Sequence, residues 1–158
     1  MNENTRRFIQ IGSIMMAAAV ALGAFGAHGL KNIVDAYGME IWQKAVNYHF
    51  YHALGLLFVS FLFTLNIDEN RLKKAGYIMF TSILIFSGSL YIMALTNIKW
   101  LGAITPIGGV GFIVSWMMIA VNNWTGTLLV SWVVRDDYGF PGSVASHPPQ
   151  GPIGDKPT

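Results

Sequence analysis

The chain has 158 residues, of which 53% are hydrophobic and only 11% are charged, less than half the roughly 25% charged residues typical of soluble domains. The formal net charge is +2, but the ten lysines and arginines are spread between apolar segments and form no basic stripe, so the sequence predicts no nucleic-acid partner. The absence of cysteine excludes disulfides, thiolate metal sites and cysteine nucleophiles. This composition is typical of a single-domain protein in contact with lipid.

Four segments lack Asp, Glu, Lys and Arg and approach the ~20 residues needed to cross a hydrocarbon core of about 30 Å. They cover residues 8–27, 48–65, 75–95 and 101–121. The first follows two arginines, as a signal peptide would, but its apolar run exceeds the roughly 7–15 residues of a signal-peptide core. The sequence therefore predicts an all-α integral membrane protein, a four-helix bundle formed by residues 1–123 and embedded in the lipid bilayer.

The basic residues predict the orientation, because lysine and arginine are retained on the cytoplasmic side of membrane proteins. With four spans, the N-terminus, the 66–74 loop and the C-terminal region share one side of the membrane. That side carries seven of the ten basic residues, namely Arg6, Arg7, Arg71, Lys73, Lys74, Arg135 and Lys156. We therefore expect a plasma-membrane protein with both termini in the cytoplasm.

Local signals predict where the helices begin and end. Gly29 is placed to end helix 1, since glycine tolerates the left-handed conformation that is common there. Helical spacing predicts that helix 2 begins near Met39, with Trp42 at the level of the lipid headgroups. Helix 4 is expected to be capped by Thr105, with Pro106 in its first turn.

Small residues at helical spacing predict close packing, because apolar helices in lipid associate through short-range contacts. Helix 1 carries Gly23 between alanines four residues away on each side, and helix 3 carries Gly88 between two serines. Helix 4 carries Gly108, Gly111 and Ser115 on one face. We predict that these five residues lie at helix interfaces; the alternative is that glycine and alanine are simply common in transmembrane helices.

The chain changes character after residue 123. Residues 124–134 are apolar but only about half a span long, so they either extend helix 4 or lie in the membrane interface. The remaining residues are rich in proline and glycine, which is typical of disorder. The sequence thus predicts a second region, 124–158, with a short apolar segment and a disordered tail.

Four stretches of the chain have a distinctive sequence: LGAFGAHGLK, WQKAVNYHFYHALGLL, FSGSLYIMALT and LGAITPIGGVGFIVSWMMI. In their order and spacing, from about residue 7 to residue 121, they resemble the small membrane-protein family called DUF423 or UPF0382. The resemblance implies a four-helix membrane protein without an assigned activity. Members of that family usually end soon after the fourth helix, so the tail of this chain resembles an addition.

Histidine is the main candidate for chemistry in the membrane region. His28 lies at the outer end of helix 1, and His49 and His52 lie three residues apart near the outer start of helix 2, so all three are expected in one leaflet. Such a cluster, with Glu40 as a further ligand, could bind zinc or copper, and an imidazole could hold a haem. The alternative is that each histidine makes a structural hydrogen bond between or within helices.

The pattern of polar residues argues against catalysis. A proton relay or an ion-coupled transporter usually needs charged residues inside the membrane. The four apolar segments contain none. The sequence has no nucleophile elbow, so we predict no enzyme and assign no cofactor. Four polar residues either line a small cavity or bond to helix backbones; these are Ser87, Ser89, Tyr91 and Thr105.

The leading functional hypothesis is a non-enzymatic structural or accessory protein of a membrane complex, with membrane-protein partners or a second copy of itself. The alternatives are a metal- or haem-binding protein and an oligomeric small-solute channel.

Overall fold

The computed structural model describes residues 1–65 and 68–137, with residues 122–137 as helical backbone only. All of the regular structure in these residues is helical: α1 (Glu3–Gly29), α2 (Ala36–Leu62), α3 (Glu69–Thr96), a 3₁₀ helix (Lys99–Ala103) and α4 (Thr105–Asp137). Four helical segments are long and apolar enough to cross a membrane, and the fourth covers Lys99–Val121. The prediction of an all-α fold with four apolar helices is confirmed.

The start of α1 is held against the start of α3 by two amide side chains. Asn2 and Asn4 donate hydrogen bonds to the carboxylate of Glu69 over 2.7 and 3.2 Å. Because α2 lies between these helices in the chain and packs against both, successive helices run in opposite directions. The N-terminus and the start of α3 therefore lie at the same end of the bundle.

The second helix is the centre of the bundle. Within its membrane-spanning segment 56% of the residues are buried, compared with 22% in α1 and 28% in the fourth span. One apolar cluster joins Phe8, Leu56 and Met79 from three helices. A second cluster forms around Trp42 and Leu90. Most residues of α1 and of the fourth span therefore remain at least partly exposed on the surface of the bundle.

The start of α2 differs from the prediction. The helix begins at Ala36, three residues before Met39, because Asp35 caps it: its carboxylate accepts a hydrogen bond of 2.7 Å from the backbone N–H of Gly38. Helical periodicity identified the apolar face of α2, but it does not detect a capping residue such as Asp35. Trp42, which is expected at the headgroup level, is only 2% exposed, so it packs between helices and does not face the lipid.

The ends of α1 and α3 use different backbone geometries. Gly29 is the last residue of α1, as predicted, but the cap that follows, Leu30, is right-handed and bonds to the Phe25 carbonyl. A Cβ at 29 would lie 2.7 Å from the ring of Phe25, so a larger residue there would have to displace that ring. The left-handed cap occurs instead after α3, at Asn97 with φ 57°.

The fourth helix continues beyond its predicted span. It begins at Thr105 with Pro106 in its first turn and runs to Asp137, so the apolar residues 124–134 are part of the helix. The chain divides into two compact units, Met1–Gly126 and Thr127–Thr158. Most of the predicted disordered tail, residues 138–158, lies outside the described residues.

Candidate functional site

The three candidate metal-binding histidines have different surroundings. His28 lies in the last turn of α1 and is exposed. His49 and His52 are buried in α2, with 4% and 8% of their surface exposed. In the part of the chain that the structure describes, no group of three His, Asp or Glu side chains is arranged to hold a metal ion. The structure therefore does not bring His28, His49 and His52 together as a ligand set.

The ring of His49 contacts α3 through a single polar group. Its Nδ1 lies 3.3 Å from the hydroxyl of Tyr91. The backbone of Met15 in α1 also approaches the ring, but without hydrogen-bond geometry, and Nε2 is buried with no hydrogen bond to a described residue. His49 thus links α2 to α3, as the structural alternative expected of a histidine in this region.

The ring of His52 is fixed between its own helix and α4. Its Nδ1 lies 2.8 Å from the backbone carbonyl oxygen of Tyr48, one turn earlier. The ring stacks on Phe112 with 3.4 Å between centroids and 14° between planes. Stacking and the hydrogen bond together hold the imidazole in one orientation.

The polar residues of α3 have different partners among the described residues. Ser89 donates to the carbonyl of Phe86 over 2.9 Å, and its hydroxyl lies 2.8 Å from that of Thr105. Tyr91 contacts His49, while the hydroxyl of Ser87 is buried without a hydrogen bond to the described residues. These side chains mainly join the start of α4 and the middle of α2 to α3.

The small residues of α4 face α3 closely. A Cβ at Gly108 would lie 2.7 Å from the backbone nitrogen of Phe86, and one at Gly111 would overlap the hydroxyl of Ser82. Ser115 is fully buried and donates a hydrogen bond of 2.7 Å to the Ala75 carbonyl.

The other two predicted packing residues make weaker contacts or none. A Cβ at Gly23 would lie 3.4 Å from a methyl group of Val46, which is ordinary van der Waals contact. A Cβ at Gly88 would meet no atom within 4 Å. Gly88 is therefore not at a close helix interface in this structure, because it faces away from the neighbouring helices while the serines on both sides are buried.

A cavity of about 460 Å³ lies between α2, α3 and α4. Its walls are mostly aromatic, and His52 is the most polar residue that lines it. The full lining is Tyr48, His52, Phe86, Gly109, Phe112, Ile113, Trp116 and Met117. We call this cavity the aromatic groove.

The comparisons with known proteins agree with the membrane fold. Residues 22–109 match the model of a family described as a protein of unknown function, DUF423. The chain is a member of this family. It is 51% identical over 114 residues to the UPF0382 membrane protein YwdK of Bacillus subtilis, a match that covers 72% of this chain and 93% of that protein. A UPF0382 membrane protein of Staphylococcus saprophyticus is 48% identical over 118 residues, covering 74% and 96%. No solved structure matches the chain.

Family membership and the four apolar helices together show that this DUF423 protein is an integral membrane protein. The match covers nearly all of each relative but leaves about a quarter of this chain outside it.

The aromatic groove was missed by sequence reasoning. One signal was present, since Tyr48 and His52 lie one helical turn apart and so share a face of α2. The other walls come from α3 and α4, and helical periodicity does not tell which residues of α4 face α2. Phe112 in particular carries no signal of its own in the sequence, although it is the residue on which the His52 ring stacks.

Proposed function

We propose that this DUF423 protein is a non-enzymatic accessory subunit of a membrane-protein complex and binds its partner through the outer face of α1. The observation that supports this proposal is a row of small and polar residues on the exposed side of that helix. The row consists of Gln10, Ser13, Ala17, Ala21, Ala24 and His28, all of them exposed. Their spacings of three and four residues place them on one side of the helix.

A row of this kind is unusual on a helix face that meets only lipid. Small residues allow a second helix to approach closely, and polar side chains can then bond across the interface. Gln10 and Ser13 have no hydrogen-bond partner among the described residues, and an unpaired polar group in hydrocarbon has a free-energy cost. A transmembrane helix with small residues of its own would cover the row and offer such groups.

The contacts of the histidines support a non-enzymatic role. His49 contacts a tyrosine and His52 a backbone carbonyl, and in the described part of the chain no serine hydroxyl is bonded to either. A serine nucleophile needs a base within hydrogen-bond reach. The buried polar groups instead join helices, which is a structural task.

We further propose that the protein lies in the plasma membrane with both termini in the cytoplasm. The basic residues at the N-terminus and at the start of α3 support this orientation. The hydrogen bonds of Asn2 and Asn4 with Glu69 also support it, because they place these two basic regions at the same end of the bundle.

Purification in mild detergent tests the accessory role. We expect a tagged wild-type chain to co-purify with a membrane protein in a fixed ratio and the double variant Ala17→Leu, Ala21→Leu to lose at least nine-tenths of it, because the added side chains would separate the helices. The matched control is Val110→Leu, Val114→Leu on the exposed face of α4, which should keep the partner.

Both double variants alter exposed positions, so the thermal stability of the isolated chain should stay unchanged. Recovery of a second copy as the sole partner would replace the accessory role with self-association. A monodisperse chain without any partner would contradict the proposal.

A further inference from the structure

The aromatic groove has the size and position of a ligand site. Its volume of about 460 Å³ lies within the roughly 300–1,000 Å³ typical of small-molecule pockets, which often occur between the helices of bundles. Ile113 and Met117 at its edge are 64% and 58% exposed and belong to the fourth span. The groove therefore opens toward the lipid, and a ligand would enter it from the membrane.

The hydrogen bond of His52 determines what its second nitrogen can do. A backbone carbonyl oxygen only accepts, so the 2.8 Å contact with Tyr48 requires that Nδ1 carries the proton. In the neutral imidazole Nε2 is then a bare acceptor. This nitrogen has no hydrogen-bond partner among the described residues, although the side chain is only 8% exposed and lines the groove.

The walls of the aromatic groove are flat rings, and one of them holds the His52 imidazole in place. The His52 ring stacks on Phe112, and the ring of Tyr48 stacks on Phe86 with 4.5 Å between centroids and 26° between planes. Trp116 adds a further ring to the lining. Aromatic walls favour a ligand with a ring of its own, because offset stacking adds to the free energy gained by burial.

We propose that the aromatic groove binds a membrane-soluble molecule that carries a hydroxyl group on a planar ring, the class of phenols and quinols. The hydroxyl donates a hydrogen bond to Nε2 of His52, and the ring stacks against the aromatic walls. The lining contains no Asp, Glu, Lys or Arg, so it does not suit a charged headgroup. A lipid acyl chain would fill the space but leave the acceptor unpaired, at a cost in free energy.

This site is separate from the outer face of α1, so it does not depend on the proposed accessory role. The groove is lined by residues of α2, α3 and α4 alone. Either proposal can fail without affecting the other.

Binding of two probes to the purified full-length protein in lipid nanodiscs tests the proposal. The first probe is a hydroquinone with a decyl chain, and the second is its dimethyl ether, which has the same ring and tail but no donor. We expect the wild type to bind the hydroquinone roughly three- to tenfold more tightly, as one net hydrogen bond implies.

Three variants separate the contributions. His52→Phe keeps a flat ring against Phe112 and should bind both probes equally, whereas His28→Phe, outside the groove, should keep the preference. Gly109→Leu should weaken both probes at least tenfold, because the space beside Phe86 accepts a Cβ at 3.7 Å but a longer side chain would fill the groove.

Thermal melting of each variant confirms that it is folded before binding is compared, and Gly109→Leu provides a test of the groove if His52→Phe does not fold. Equal affinity of the two probes for the wild type, or an unchanged preference in His52→Phe, would overturn the proposal. Unchanged binding of both probes to folded Gly109→Leu would overturn it as well.

Discussion

The hydroxyl of Ser115 in α4 donates a hydrogen bond of 2.7 Å to the backbone carbonyl of Ala75 in α3. Ser115 is fully buried, and the contact lies on the face of α4 that carries Gly108 and Gly111. The two glycines allow the backbones to approach each other, and the serine then reaches across. Close approach and hydrogen bonding thus act at the same interface, as is common for helices in lipid.

Replacing Ser115 with alanine removes this bond and little volume. We expect Ser115→Ala to lower the free energy of unfolding by about 0.5–1.5 kcal/mol, the usual net contribution of one hydrogen bond. Reversible unfolding in mixed micelles measures the change. Ser60→Ala is the control, because Ser60 is also buried but bonds only to the Leu57 carbonyl of its own helix. An equal loss in both variants would show that the cross-helix bond contributes nothing specific.

Gly108 and Gly88 form a matched pair of helical glycines. A Cβ at Gly108 would lie 2.9 Å from the Cα of Phe86, so Gly108→Ala must separate two backbones, at a cost of about 1–3 kcal/mol. Gly88→Ala meets open space, and alanine is favoured over glycine in helices by up to about 1 kcal/mol, so this variant should be neutral or more stable. Measuring the free energy of unfolding of both variants tests this prediction. A decrease in Gly88→Ala as large as that in Gly108→Ala would contradict it.

Gly111 and Val114 test the same interface with a larger side chain. Gly111 faces Ser82, so the leucine in Gly111→Leu would push α4 from α3 and should lower the thermal stability in detergent. Val114 is 42% exposed on another side of the helix, and Val114→Leu should be nearly neutral. The melting temperatures of the two variants in detergent test this prediction. Similar shifts would mean that the small-residue face of α4 is not a close interface.

The sequence predicted the spans well because a membrane-crossing helix needs a long run of apolar residues, which is a property of one segment. It predicted less about which faces meet, because that depends on pairs of segments. Trp42 illustrates the limit: its indole N–H donates to the Leu22 carbonyl of α1 over 3.0 Å, so it is buried between helices. Tryptophan is common as an anchor at membrane surfaces, and nothing in its own segment indicated that this side chain packs against α1.

The candidate site shows the same limit more strongly. The spacing of His49 and His52 predicted that both lie near one face of α2, but their rings contact different helices, α3 in one case and α4 in the other. A difference of three residues turns a side chain by about 60° around the helix, given 3.6 residues per turn. In a central helix with neighbours on several sides, that rotation is enough to point two residues three positions apart at different helices.

The orientation of the protein can be tested in a background without native thiols, because the chain contains no cysteine. Asn32 lies between α1 and α2, and Asn70 lies in the first turn of α3; both are exposed. Both are uncharged, so their replacement keeps the lysines and arginines that set the orientation.

We expect a membrane-impermeant maleimide to label Asn32→Cys in intact cells and to label Asn70→Cys only after the cells are permeabilised. The antiparallel helices place these two positions at opposite ends of the bundle, so each variant is the control for the other. Labelling of Asn70→Cys but not Asn32→Cys in intact cells would place both the N-terminus and the start of α3 outside, because the hydrogen bonds from Asn2 and Asn4 to Glu69 keep them at one end.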